Sequence, residues 1–96
     1  MKVLAILTLM PEARLETVRA ELAEELKGSW ALYSAGVLRE VYATEDPKRV
    51  VFIMEGADAA ATKQTLGALP LVAAGIFRME LVELRPFVNW SMLFAH

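Results

Sequence analysis

Gly75-Ile76-Phe77-Arg78-Met79-Glu80-Leu81-Val82-Glu83-Leu84-Arg85-Pro86-Phe87 is the stretch that decides the fold. Gly75 and Pro86 bound it, and its length and content read as one long strand. Successive side chains in a strand point to opposite faces. One face then carries Phe77, Met79 and Leu81 and ends at Glu83, which is ordinary core. The other carries Ile76, Arg78, Glu80, Val82 and Leu84. That second face mixes large apolar groups with two opposite charges, so it is neither a plain core nor a plain wet surface. The expectation is that it meets another copy of the chain and lines a cavity there.

Working outward, the residues just before the strand are 71–74. They follow Pro70, which ends an alanine-rich helix expected over 59–68, with Asp58 as its N-cap and Leu66 and Leu69 packing inward. Further back, Thr44-Glu45-Asp46-Pro47-Lys48 is a turn by composition and joins two strands, 36–43 and 49–55, into a hairpin. Alternation in the first puts Leu38, Glu40 and Tyr42 on one face, with Val37, Arg39, Val41 and Ala43 on the other. In the second, Val51 and Ile53 oppose Val50, Phe52 and Met54.

The chain opens with a strand over 2–9 whose faces, Leu4-Ile6-Thr8 and Val3-Ala5-Leu7-Leu9, are both apolar, as expected of a strand covered on two sides. A helix follows from Pro11, which suits a first helical position, to Lys27, with Gly28 as its C-terminal cap. Leu15, Val18, Leu22 and Leu26 form its apolar stripe, with Arg14, Glu21, Glu24 and Glu25 largely off it. Residues 29–35 read as a linker containing Trp30 and Tyr33.

The order strand-helix-strand-strand-helix-strand is that of the α+β ferredoxin-like plait, a four-stranded antiparallel sheet with two helices on one face. Helices on one side leave the other side open. The first and third strands are apolar there too, and each Å² of that patch left wet costs roughly 25 cal/mol. A second sheet packed face to face removes it, and so a homodimer is expected. Residues 1–87 form the domain. Residues 88–96, with Trp90, Met92, Leu93 and Phe94, form an apolar tail expected to dock on its own sheet or on a partner subunit.

Composition agrees. Of 96 residues 56% are hydrophobic and 23% charged, against about 45–50% hydrophobic in typical domains. A single small domain with that surplus must put some apolar surface outside, and self-association is the usual remedy. The net charge of −2 is interspersed, which argues against nucleic acid or an anionic membrane as the main partner. No apolar run approaches the ~20 residues of a spanning helix. Cysteine is absent, which removes disulfide and thiolate chemistry. Cytoplasm is the expected compartment.

Two short segments, Lys27-Gly28-Ser29-Trp30 at the end of the first helix and Leu69-Pro70-Leu71 ahead of the last strand, together with element order and length, resemble the dimeric α+β barrel superfamily. Within it the chain is most similar to muconolactone isomerase-like proteins, and the resemblance covers about residues 1–87. It implies two sheets paired into a barrel, with a pocket inside the barrel or between a sheet and its helices. It also implies activities such as lactone isomerisation, cofactor-free oxygenation of aromatic polyketides, or polyketide cyclisation. Superfamily branches that use an axial haem histidine or a histidine–aspartate pair fit poorly, because His96 is the one histidine. No catalytic base is carried over from the resemblance.

The residues themselves nominate a site. Shifting a lactone double bond needs a group that takes a proton beside a carbonyl and returns it elsewhere, and a carboxylate in an apolar cavity suits that work. Glu40 and Glu80 interrupt apolar strand faces and are the candidates. Arg39 or Arg78 would hold an acidic substrate or steady an enolate. Tyr42 would donate a hydrogen bond, and Trp30 and Tyr33 would wall a pocket. The plainer reading is that these charges form structural ion pairs across neighbouring strands or across the dimer, and that Trp30 is core. His96 reads as a solvated terminus. No metal cluster, phosphate loop or cofactor motif is present in the sequence. Two functions of different class follow: a cofactor-independent isomerase or monooxygenase acting on a hydrophobic cyclic molecule, or a non-catalytic homo-oligomeric binding or assembly module.

Overall fold

The computed structural model describes residues 1–95. Strands β1 (Lys2–Leu9), β2 (Leu38–Glu45), β3 (Lys48–Glu55) and β4 (Phe77–Leu84) form one antiparallel sheet in the order β2-β3-β1-β4. Helices α1 (Leu15–Ser34), α2 (Ala59–Gly67) and the single-turn α3 (Pro70–Ala73) connect them, and a 3₁₀ helix spans Val88–Phe94. This is the expected plait, with β1 and β3 at the centre of the sheet and β2 and β4 at its edges.

Register explains which residues are buried. Val3, Ala5 and Leu7 of β1 lie opposite Met54, Phe52 and Val50 of β3 and opposite Glu83, Leu81 and Met79 of β4. This row faces the helices, and Val3, Ala5, Leu7, Phe52 and Met54 are buried with Leu66 and Leu69 above them. Phe77, Met79 and Leu81 pack against the same cluster, as their alternation implied. The opposite row pairs Leu4 with Ile53 and Val82, and Ile6 with Val51 and Glu80. No helix covers it. Val82 and Leu84 remain 40% and 36% exposed.

Several local expectations change. α1 begins at Leu15 rather than Pro11, because residues 11–12 make a turn and Arg14 is an extended N-cap without a side-chain bond. It also runs through Gly28 and the supposed linker to Ser34. One interior glycine costs only about 1 kcal/mol, and residues 29–34 hold nothing that stops a helix. The stop is Gly36, at φ 78°. Its N–H donates to Tyr33 O and that of Val37 to Leu32 O, both at 3.0 Å, the paired bonds of a Schellman ending. Gly28 serves packing instead: a Cβ there would stand 2.8 Å from Leu69 Cδ2.

In β2 the pairing slips between Leu38 and Glu40. A bulge adds one residue and reverses the alternation after it. Leu38 faces the helices and is buried, and so does Val41, opposite Phe52, while Glu40 and Tyr42 lie on the uncovered face, opposite Ile53 and Val51. Leu38 therefore does not share a face with Glu40 and Tyr42, as plain alternation had it. Asp58 caps α2 as expected, accepting from Ala61 N at 2.8 Å. Pro70 does not close α2, which ends at Gly67, but opens α3. β4 is shorter than 75–87.

Candidate functional site: a cavity between the long helix and the sheet

α1 carries an apolar stripe yet has no buried residue. Leu15, Leu22 and Leu26 are 59%, 42% and 59% exposed, because the helix stands off from part of the sheet it would cover. The gap is a cavity of about 570 Å³ that opens to solvent. Leu7, Val41, Val50 and Phe52 form its floor. Val18, Leu22 and Leu26 form its roof, with Leu71 and Phe77 closing a side. The walls are largely apolar. The polar groups come from α1 (Glu25, Ser29) and from the turn between β2 and β3 (Thr44, Glu45, Lys48, Arg49).

Glu25 is half-buried among these apolar walls. One carboxylate oxygen accepts a hydrogen bond from Leu71 N at 2.8 Å. That amide is at the start of α3, where no carbonyl of the helix itself can reach it. Burial pushes the Glu25 carboxyl above the ordinary carboxylate range, and the bond from Leu71 pulls it partly back. A carboxylate raised in this way is a stronger base than a solvated one, which suits it to accept a proton.

Arg49 is half-buried, and its Nε is buried without an acceptor among the described residues. Its backbone N–H donates to Thr44 Oγ1 at 3.1 Å, which ties the turn together. Leaving a buried donor unpaired costs about 1–3 kcal/mol.

The residues nominated from sequence lie elsewhere. Glu40, Tyr42, Arg78 and Glu80 share the uncovered sheet face, aligned with Ile53, Val51, Thr8 and Ile6 respectively. Glu40 and Tyr42 are together: the Tyr42 hydroxyl donates to the Glu40 carboxylate at 2.5 Å. That bond first, and then the carboxylate's charge, holds the phenol above its ordinary range. Glu80 and Arg78 are on β4, across β3 and β1 from that pair. Trp30 and Tyr33 stack with ring centroids 5.5 Å apart near the end of α1, 66% and 50% exposed, so Trp30 is not core. Arg39 is exposed at the bulge. None of these seven lines the cavity. Among the described residues, no ion pair within the chain involves Arg39, Glu40, Arg78 or Glu80. His96 lies outside the described residues.

Sequence reasoning missed Glu25, yet the signal was there. Val18, Leu22 and Glu25 follow the spacing of one helical face, so Glu25 belongs on the stripe rather than off it. Among the described residues no three acidic, histidine or cysteine side chains gather to hold a metal. No helix there is long and apolar enough to cross a membrane.

Comparison with protein-family models finds no match, and comparison with curated proteins finds none either. Solved structures do match. One is 5-chloro-2-hydroxyhydroquinone dehydrochlorinase from Burkholderia phenoliruptrix AC1100, in complex with 2,5-dihydroxybenzoquinone. It superposes with a TM-score of 0.72 over 93% of this chain and 98% of its own, at 16% identity. What is shared is the α+β fold, one antiparallel four-stranded sheet with its helices. Muconolactone isomerase matches equally, with a TM-score of 0.72, 90% coverage of each chain and 18% identity. The muconolactone isomerase-like resemblance of the sequence therefore holds at the level of the chain fold. At such identities the likeness is one of architecture, and the chemistry must be argued from this chain's own residues.

Proposed function

We propose that this chain is a cofactor-independent isomerase, taking a hydrophobic cyclic small molecule into the cavity under α1, with Glu25 as the proton-moving group. The observation that carries the reading is a half-buried carboxyl, raised by burial, in the wall of an apolar cavity of about 570 Å³. Apolar walls suit a ring, and sites of this size are usual for small ligands. In the reaction, Glu25 takes a proton from the carbon beside a ring carbonyl, and the C–H electron pair moves into an enolate. The protonated carboxyl returns the proton to the far carbon of the conjugated system. Nothing is oxidised or reduced, so no cofactor is called for. An isomerase and a dehydrochlorinase both carry this fold, which agrees with the reading without requiring it.

The proposed working form is a homodimer. A second copy covers the row of Leu4, Ile6, Val51, Ile53 and Val82, and the tail docks on the partner subunit. Trp90, Met92 and Phe94 are 70%, 74% and 75% exposed on the isolated chain, which supports an external seat for them. Pairing also gives a second reading of the site. The Tyr42–Glu40 hydrogen bond, with Glu80 and Arg78 in no ion pair among the described residues, favours a polar cluster inside the barrel between two copies. Arg39, Trp30 and Tyr33 would stand at its rim.

The test is proton exchange. α-Angelica lactone, a simple unsaturated lactone, is incubated with the protein in D₂O and followed by NMR for deuterium uptake and double-bond migration. Glu25→Gln is expected to abolish both, with Glu40→Gln and Glu80→Gln near wild type. Loss in the latter two instead moves the site to the barrel interior. No exchange with this or related cyclic ketones favours the alternative class, a non-catalytic binding or assembly module.

A further inference from the structure

β4 is an edge strand: β1 lies on one side of it, and no strand among the described residues lies on the other. Its sequence is nearly symmetrical about Met79. Arg78 and Glu80 flank that residue, Phe77 and Leu81 come next, and Ile76 and Val82 follow. Arg78 and Glu80 are exposed, and neither joins an ion pair among the described residues. The ladder with β1 fixes which backbone groups of β4 are free. Met10 N–H donates to Ile76 O at 2.9 Å, one step beyond the Leu9–Phe77 pair. Hydrogen-bonded pairs alternate along an antiparallel ladder, so Arg78, Glu80 and Val82 also turn their N–H and C=O toward β1. Phe77, Met79 and Leu81 turn theirs to the open edge. Such a row of unpaired groups is a template for a further strand.

We propose that β4 pairs antiparallel with β4 of a second copy, centred on Met79, so that each Arg78 lies opposite Glu80 of the partner subunit. Backbone pairing requires that the edge-facing residues of one strand meet those of the other. Among the registers that satisfy this, one step either way sets Arg78 against Arg78 or Glu80 against Glu80. Opposite charges directly across a ladder support it and like charges oppose it. The register centred on Met79 therefore stands apart from its neighbours. It opposes Arg78 to Glu80 twice and Phe77 to Leu81 twice. The charged residues form its non-hydrogen-bonded pairs, where side chains lie closest. The inference rests on the homodimer reading and adds the seam along which the two sheets join. Closing two sheets into a barrel needs strand-to-strand seams as well as face-to-face contact.

The experiment has two readouts. Amide hydrogen exchange of the wild type is followed by NMR, and Phe77, Met79 and Leu81 are expected to exchange as slowly in the dimer as residues of the central strand β1. Sedimentation then compares two surface variants. Arg78→Glu and Glu80→Arg each set like charges across the seam and should weaken self-association by about tenfold or more. An equal mixture of the two should restore it, because each chain then meets opposite charges. A dimer in which Phe77, Met79 and Leu81 exchange freely overturns the inference and leaves the homodimer reading intact, as does a mixture no tighter than either variant alone. A wild type that sediments as a single copy overturns the homodimer reading, and the inference with it. The exchange measurement decides the matter even where a variant does not fold.

Discussion

Glu25 offers the sharpest test because it holds two parts of the fold together while lying in the cavity wall. Its carboxylate supplies the acceptor, at 2.8 Å, for the backbone N–H of Leu71, a residue only 4% exposed. Glu25→Ala takes the acceptor away and strands that donor, at a cost of about 1–3 kcal/mol. In a domain this small each kcal/mol moves Tm by about 4–8 °C, so a drop of roughly 4–24 °C is expected. Glu25→Gln keeps an oxygen at the same reach and removes only the charge. At neutral pH it should fall within about 0.5 kcal/mol of wild type. The pH dependence has a definite sign. The folded-state pKa is raised, so the folded chain binds this proton more tightly than the unfolded one. Wild type therefore gains on Glu25→Gln as pH falls through the folded value toward the ordinary ~4.3 of a glutamate, and loses that advantage as pH rises. Circular dichroism melts and urea titrations at pH 7 and pH 5 measure both effects. Protein concentration is held fixed, because the Tm of an associating chain depends on it. Equal damage from Ala and Gln, or a wild-type-to-Gln difference that does not change with pH, would refute the reasoning.

Two further outcomes are expected. Gly36→Ala places a side chain at φ 78° and should cost about 1–2 kcal/mol, read as a lower urea midpoint with unchanged slope. Val51→Lys sets a charge in the middle of the uncovered face, opposite Ile6 and Tyr42. It should shift sedimentation toward a single copy while the circular dichroism spectrum stays native, and an unchanged mass would count against pairing through that face.

The architecture was legible because it rests on alternation. Two strands apolar on both faces, two helices and a hairpin leave little choice but the plait, and Phe77, Met79 and Leu81 packed where the pattern put them. Local rules failed where tertiary packing or an inserted residue overrode them. Gly28 looked like a cap because glycine ends many helices, yet here its missing Cβ makes room for Leu69. Glu40 breaks an apolar run on the uncovered face, and position in a run does not tell which side of the sheet is enclosed. Glu25 was passed over because charge on a helix usually marks the wet side. Its spacing from Val18 and Leu22 was the better guide.

The slip at Arg39 works as a parity switch for the edge strand. Removing Arg39 would leave Leu38 opposite Met54 and Glu40 opposite Ile53 in plain alternation, whereas pairing all of β2 without the slip would turn over everything from Glu40 to Glu45. Val41 would then leave the floor beneath α1, and the phenol–carboxylate pair would move indoors. What each side of this sheet offers thus hangs on one residue held out of the ladder, and a relative shorter by that residue should keep the same groups on the same sides.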